Sequence, residues 1–182
     1  MGWTVVGIDP SVTATGLADD RCACHLIGRK GITTLPVVDR LKALKDLRND
    51  IINWTCQRAP DLVVIELPAF SRAGGGAMER HWLYLAIVDR LLARGIPVAE
   101  VYARTRMAYA TGKGAASKTA IVDAVARRFP DYDTGGDDNI CDAIILCAMG
   151  ADHLGEPFAP MPANHRAALA KVAWPNLIGD EA

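Results

Sequence analysis

Three acidic side chains occur in apolar stretches of this sequence, where a carboxylate is unusual. Asp9 and Glu66 each end a short apolar run, and Asp142 is the only charge in the apolar segment 140–150. Burying a lone carboxylate is costly unless a partner or a metal ion neutralises it. Taken singly, Asp9 could cap a turn and Glu66 could be an ordinary strand end. Together, the three indicate a shared cation site.

Carboxylates without a matching set of cysteines and histidines favour a hard, oxygen-seeking cation such as Mg²⁺ or Mn²⁺. Asp138 lies four residues before Asp142, on the same face of a predicted helix, although Asp137 or Asp138 would also cap that helix naturally. Such acids can hold two cations, which polarise a phosphoryl group, activate water and stabilise a leaving oxygen. The predicted chemistry is therefore hydrolysis at phosphorus.

The strands and helices that position these acids are predicted from the spacing of apolar residues and from the positions of proline and glycine. Strands are predicted at 4–8, more weakly at 16–20 and 24–32, and then at 61–66 and 97–102. Helices are predicted from 36 to before 60, and at 77–94, 117–129, 138–150 and 163–173. This order predicts an α/β domain with helices on both faces of the sheet. In such sheets, sites form beyond the strand ends, where Asp9 and Glu66 fall.

Length and composition favour one globular domain. The 182 residues are 51% hydrophobic and 23% charged, which argues against disorder. We expect a domain over 1–151 and an extension rich in proline over 152–182. No stretch resembles a signal peptide or is long enough to cross a bilayer. Five cysteines form no Cys-x-x-Cys pair, which is typical of reduced thiols in a cytoplasmic protein.

Charge is distributed unevenly, although the net charge is only −1. Residues 101–130 carry six basic side chains and one acid, whereas residues 131–182 carry two basic side chains and nine acids. A basic block beside acidic metal ligands suits a phosphate-containing partner.

Five short motifs, in this order, resemble those of the RuvC-type Holliday junction resolvases, which belong to the ribonuclease H-like superfamily. They read GIDPS at 7–11, TG at 15–16, VIE at 64–66, TGKGAASK at 111–118 and DA at 142–143. The resemblance covers residues 3–150. It implies a mixed five-stranded sheet, a homodimer, and hydrolysis of DNA phosphodiesters at branched junctions with two metal ions.

The resemblance also assigns roles to individual acids. Asp9, Glu66 and Asp142 match the family's metal-binding acids. A fourth acid or a histidine usually stands three residues before the last Asp, and that position is Asn139 here, with Asp138 one residue further back. We therefore expect Asp9, Glu66, Asp142 and Asp138 to bind Mg²⁺ or Mn²⁺ and to be catalytic, with Asn139 as the alternative fourth ligand.

Candidate DNA-binding residues come partly from the resemblance and partly from charge. Lys113 and Lys118 match the family's basic loop and helix start, and Phe70 resembles an aromatic residue that the family places near the junction centre. Arg104 and Arg106 are added because of their charge. Each cation could instead be a solvated surface residue, and Phe70 could belong to the core.

Three other functions remain open at this point. GKGAASKT at 112–119 differs from a phosphate-binding P-loop by one residue, but a P-loop requires a strand directly before it. A DNA-binding module without catalysis would not need the three acids. A flap- or fork-cleaving nuclease of the same fold is the main alternative to a junction resolvase.

Overall fold

The fold is built on a single mixed sheet. The computed structural model describes residues 2–68 and 76–177. The strands are β1 (Val5–Asp9), β2 (Thr15–Asp19), β3 (Cys24–Ile27), β4 (Leu62–Leu67) and β5 (Val98–Tyr102). Their order across the sheet is β3-β2-β1-β4-β5. β1 and β2 pair antiparallel, as do β2 and β3, whereas β4 is parallel to both β1 and β5.

Six α-helices accompany the sheet in the part of the chain that the structure describes. They are α1 (Val37–Cys56), α2 (Ala77–Leu92), α3 (Ala103–Thr111), α4 (Lys118–Arg128), α5 (Asp138–His153) and α6 (Ala163–Arg166). α1 and α2 cover one face, and α3, α4 and α5 cover the other. The predicted α/β class, with a mixed five-stranded sheet and helices on both faces, is confirmed.

Alternation along the central strands decides which side chains meet which helices. Val6 and Ile8 pack toward α1 and α2, whereas Val5 packs toward α5. Because successive side chains point to opposite faces, residues 5, 7 and 9 share the α5 side. Both faces of β1 and β4 are buried, which explains why their sequences read as continuous apolar runs rather than alternating ones.

α5 lies unusually close to the sheet because two glycines leave room for its backbone. A Cβ added at Gly7 would lie 2.1 Å from the carbonyl oxygen of Ala143, and one at Gly16 would lie 2.0 Å from that of Asn139. No side chain fits at either distance. These two glycines therefore set the depth at which the acidic end of α5 meets β1 and β2.

The sequence prediction was wrong or incomplete in three places. α3 directly follows β5 and was not predicted. The strand predicted at 24–32 ends at Ile27. The helix predicted at 163–173 is instead the single turn of α6 and a 3-10 turn at Leu169–Lys171.

The segment after α5 packs onto the same core. His165 shares a hydrogen bond with the carbonyl oxygen of Tyr109 (2.8 Å), and Arg166 pairs with the buried carboxylate of Asp152 (2.8 Å). Trp174 stacks on His153 with ring centroids 4.1 Å apart. The expected domain boundary after residue 151 falls inside α5, which ends at His153.

Candidate metal and nucleic-acid site

Strand register brings Asp9 and Glu66 to the same edge of the sheet. Ile8 of β1 pairs with Ile65 of the parallel strand β4, so the next residue of each strand is an acid. Both acids lie on the α5 side by alternation, at the carboxyl ends of their strands. The backbone therefore brings Asp9 and Glu66 close together, as the sequence predicts.

α5 contributes two further acids through the way it begins. Asp137 is its N-cap, and the Asp137 carboxylate accepts hydrogen bonds from the backbone N–H groups of Asn139 (2.9 Å) and Ile140 (3.2 Å). Asp138 is therefore not needed as a cap. It lies one turn before Asp142 and pairs with Lys118. The side-chain amide of Asn139 donates to Asp137 (3.2 Å), so the Asn139 side chain lies against the N-cap of α5.

Arg106 joins the acids from the first turn of α3. Its guanidinium group forms ion pairs with both Glu66 and Asp142, and the residue is only 6% exposed. The sequence predicted Arg106 to bind DNA, with a solvated surface position as the alternative. Its burial against two carboxylates excludes the solvated surface position, and a contact with DNA stays a prediction. Sequence reasoning missed Arg106 as a member of the acidic site.

The pKa values of the site acids report an excess of negative charge. Burial raises the pKa of Asp9 well above its ordinary value, and the carboxylates of Glu66 and Asp142 raise it further. Burial also raises the pKa of Asp142 to about 7, although Arg106 opposes this change. Burial works against the charge on Arg106, but Glu66 and Asp142 keep its pKa above the ordinary value. One guanidinium therefore does not neutralise the cluster.

A divalent cation fits this donor set. The four acids that converge offer carboxylate oxygens, the ligands that Mg²⁺ and Mn²⁺ prefer. Within residues 2–68 and 76–177, no three His, Cys, Asp or Glu side chains already lie together as ligands of one ion. Arg106 partly explains why these acids do not lie together as ligands, because its guanidinium lies between Glu66 and Asp142. Asp9, Glu66, Asp138 and Asp142 are the residues that would hold a cation.

Without metal, the protein should lose stability as the pH rises from about 4 to 7. Because the folded pKa of Asp142 is raised from 3.8 to about 7, its contribution is complete below the unfolded pKa and is lost as the pH rises through the folded one. At about 1.4 kcal/mol per pKa unit, we expect a loss of roughly 2–4 kcal/mol. Urea unfolding in EDTA at pH 5 and at pH 8 measures this loss of stability.

Asp142→Asn should reduce that pH dependence, because the variant keeps a neutral side chain at every pH. Asp39→Asn, at an exposed position on α1, is the control and should behave like the unmodified chain. Equal pH dependence in all three proteins would contradict the burial of an ionisable Asp142.

The other candidate DNA-binding residues fall into two groups. Three of them are exposed: Arg104 in the first turn of α3, Lys113 in the glycine loop (residues 112–117), and Lys118 at the start of α4. Arg104 also lines a depression of about 260 Å³ together with Gly114 and Lys171. Phe70 lies outside the described residues.

The glycine loop does not form a P-loop. It joins two helices, α3 and α4, whereas a P-loop joins a strand to a helix. Ser117 caps α4, and its hydroxyl accepts a hydrogen bond from the backbone N–H of Ala120 (3.2 Å). The nucleotide-binding alternative is therefore excluded on topology.

Solved structures share this fold. Thermus thermophilus RuvC matches with a TM-score of 0.65 at 17% identity, over 84% of this chain and 97% of that one. T. thermophilus RuvC in complex with a Holliday junction substrate matches with a TM-score of 0.62 at 18% identity, over 88% and 99%. The yeast mitochondrial Holliday junction resolvase Ydc2 matches with a TM-score of 0.53 at 12% identity, over 92% and 80%.

At the level of sequence, no protein-family model and no curated protein matches the chain significantly. The structural likenesses establish the fold, which this chain shares with T. thermophilus RuvC and with Ydc2. None of the described helices is long and apolar enough to span a bilayer.

Proposed function

We propose that this chain, with its RuvC-type fold, is a divalent-metal-dependent endonuclease that cleaves branched DNA and acts as a Holliday junction resolvase. The observation that carries the proposal is the convergence of carboxylates from β1, β4 and α5 at one sheet edge. A neighbour of the same fold, T. thermophilus RuvC, is solved with a Holliday junction substrate. Basic side chains border the acidic edge here, as a DNA substrate requires.

The roles of the acids follow from where the fold holds them. Asp9 and Glu66 are fixed by strands buried on both faces, and Asp138 and Asp142 by the first turns of α5. These four side chains would hold the cation and orient it against the scissile phosphate. When bound, a divalent cation supplies Lewis-acid polarisation of that phosphate and lowers the pKa of the attacking water. The expected products carry a 5′-phosphate and a 3′-hydroxyl.

The proposed DNA path runs over the exposed cations near α3 and α4. Lys118 pairs with Asp138 at the rim of the acidic cluster, and Arg104 and Lys113 carry exposed positive charge on α3 and in the loop between α3 and α4. Contacts of this kind bind phosphates irrespective of base sequence and release counterions when they form. They would position the branch so that the scissile phosphate lies at the carboxylates that would hold the cation.

Lys118→Ala should weaken junction binding for every sequence and reduce the salt dependence of binding. Loss of one phosphate contact lowers the slope of log K against log salt by roughly 0.9. Fluorescence anisotropy of a labelled four-way junction at several salt concentrations measures the slope. Lys45→Ala, which removes an exposed lysine on the opposite face of the sheet, should leave it unchanged. An unchanged slope in Lys118→Ala would remove this residue from the phosphate contacts.

A homodimer is part of the proposal, because a four-way junction is resolved by two cuts. α2 exposes Met78, Leu85 and Leu92 at seven-residue spacing, and these side chains are 69%, 62% and 57% exposed. An apolar stripe at this spacing is typical of a helix that packs against another helix. Sedimentation equilibrium measures the mass, and a single 19.5 kDa species at micromolar concentration would contradict the dimer.

The direct test uses three DNA substrates, each with and without Mg²⁺. A resolvase should cut a four-way junction in its metal-dependent reaction and leave a plain duplex intact. Preferential cutting of a flap would identify a flap or fork nuclease of the same fold. Binding of the junction without cleavage under any metal would identify a DNA-binding module and overturn the proposal.

A further inference from the structure

The site already contains a positively charged side chain, that of Arg106. Arg106 ion-pairs with Glu66 and Asp142, and its charge also acts on Asp9. Lys118 differs from it, because the Lys118 side chain is 83% exposed and, among the described residues, forms an ion pair with Asp138 alone. Arg106 is thus the buried counter-charge of the acidic cluster, and Lys118 lies at its rim.

Arg106 is held in place by the fold as well as by charge. It lies in the first turn of α3, which starts directly after β5, and the preceding Thr105 is buried with it. Moving the guanidinium out would leave Glu66 and Asp142 without their partner. A buried ion pair that loses one partner leaves an uncompensated buried charge, which is strongly unfavourable. The two ion pairs use one oxygen of each acid, Oε2 of Glu66 and Oδ1 of Asp142, so the other oxygen of each carboxylate can bind a metal ion while Arg106 stays in place.

We infer that Arg106 stays in the cluster as a fixed positive charge, so that the site binds one divalent cation instead of the two implied by the family resemblance. The inference deepens the proposed function and rests on the metal dependence assumed there. When all four carboxylates are ionised as metal ligands they carry four negative charges, which one divalent cation, Arg106 and Lys118 together balance. Two divalent cations beside both basic residues would leave the cluster with two surplus positive charges.

In this arrangement Arg106 is a positioning residue. Its two charge-assisted hydrogen bonds hold Glu66 and Asp142 in fixed relative positions. Its planar group also keeps a positive charge at the sheet edge, where negative charge develops on a phosphate during cleavage. A lysine can supply the charge but cannot reach both acids in the same planar geometry.

The test counts metal ions on the DNA-free chain. Mn²⁺ is titrated into the unmodified protein and into the Arg106→Gln and Arg106→Lys variants, with free Mn²⁺ measured by electron paramagnetic resonance. We expect one ion per chain for the unmodified protein and for Arg106→Lys, and two for Arg106→Gln. Arg104→Gln, which removes an exposed arginine from the same helix, is the control and should bind one. Circular dichroism establishes that each variant is folded.

The outcomes separate this inference from the proposed function. Two ions on the unmodified protein, or one ion on folded Arg106→Gln, would overturn the role of Arg106. If the unmodified protein binds two ions and also cleaves junctions, the proposed function stands without this inference. If no variant binds Mn²⁺ at all, both fail. Should Arg106→Gln not fold, the count on the unmodified protein and on Arg106→Lys still decides between one ion and two.

Discussion

Replacing Asp9 by Asn should reduce junction cleavage by about a thousandfold or more and leave junction binding close to that of the unmodified protein. Asn keeps the shape of the side chain but removes the charge that would hold a cation against the scissile phosphate. A thousandfold loss corresponds to roughly 4 kcal/mol of transition-state stabilisation. Single-turnover cleavage in Mg²⁺ and junction binding in EDTA measure the two effects separately.

The same variant should be at least as stable as the unmodified chain when no metal is present. The raised pKa of Asp9 means that its ionised form is disfavoured in the fold, and Asn imitates the neutral form. A residue needed only for folding would show the opposite, with stability and activity lost together. Asp39→Asn, an exposed acid on α1, should change neither quantity. Normal cleavage by Asp9→Asn with Mg²⁺ present would remove Asp9 from the site.

Glu66→Gln is a weaker test than Asp9→Asn, although it too should abolish cleavage. Glu66 pairs with Arg106, so its loss also releases the guanidinium and leaves Asp142 as the remaining partner. Loss of activity in that variant combines two causes. Asp9 has no ion pair within the described part of the site, which makes its substitution easier to interpret.

The acids were predictable because each of them conflicts with its local sequence. A carboxylate at the end of an apolar strand or inside an apolar helix is costly unless it has a partner. The pairing of β1 with β4 and the packing of α5 on the sheet bring the three positions together. The apolar segment around Asp142 is indeed an interior helix, because residues 143–152 of α5 are buried. Asp152, at the far end of the same helix, is also buried but pairs with Arg166 and Tyr109, so a buried acid alone does not identify the site.

Arg106 and α3 were not predictable from periodicity. The buried side of α3 consists of Thr105, Arg106, Tyr109 and Ala110, which form no apolar stripe. Its partners are carboxylates and backbone carbonyls contributed by other elements, so the fold determines this helix more than its own sequence does. The one available signal was position, because the first turn after β5 opens at the same sheet edge as Glu66.

Replacing Gly16 by Ala should destabilise the fold by roughly 3 kcal/mol and also lower cleavage by about a hundredfold in the protein that remains folded. Gly16 pairs with Asp9 in the β1–β2 ladder, and an added Cβ would lie 2.0 Å from the carbonyl oxygen of Asn139. The clash is with backbone, so the start of α5 must move away from the sheet. That movement shifts Asp138 and Asp142 relative to Asp9.

Two other glycines show whether the effect comes from this contact. Gly7→Ala meets the carbonyl oxygen of Ala143 at 2.1 Å, further along α5, and should destabilise the fold by a similar amount. Gly2→Ala meets only the mobile end of Glu156 and should be nearly neutral. Urea unfolding gives the stabilities, and single-turnover cleavage below the unfolding transition gives the activity. If Gly16→Ala matches Gly2→Ala in both measurements, the close approach of α5 to the sheet does not set the geometry of the acids. If Gly16→Ala instead loses more activity than Gly7→Ala at similar stability, that result locates the reaction at the start of α5, near Asp138 and Asp142.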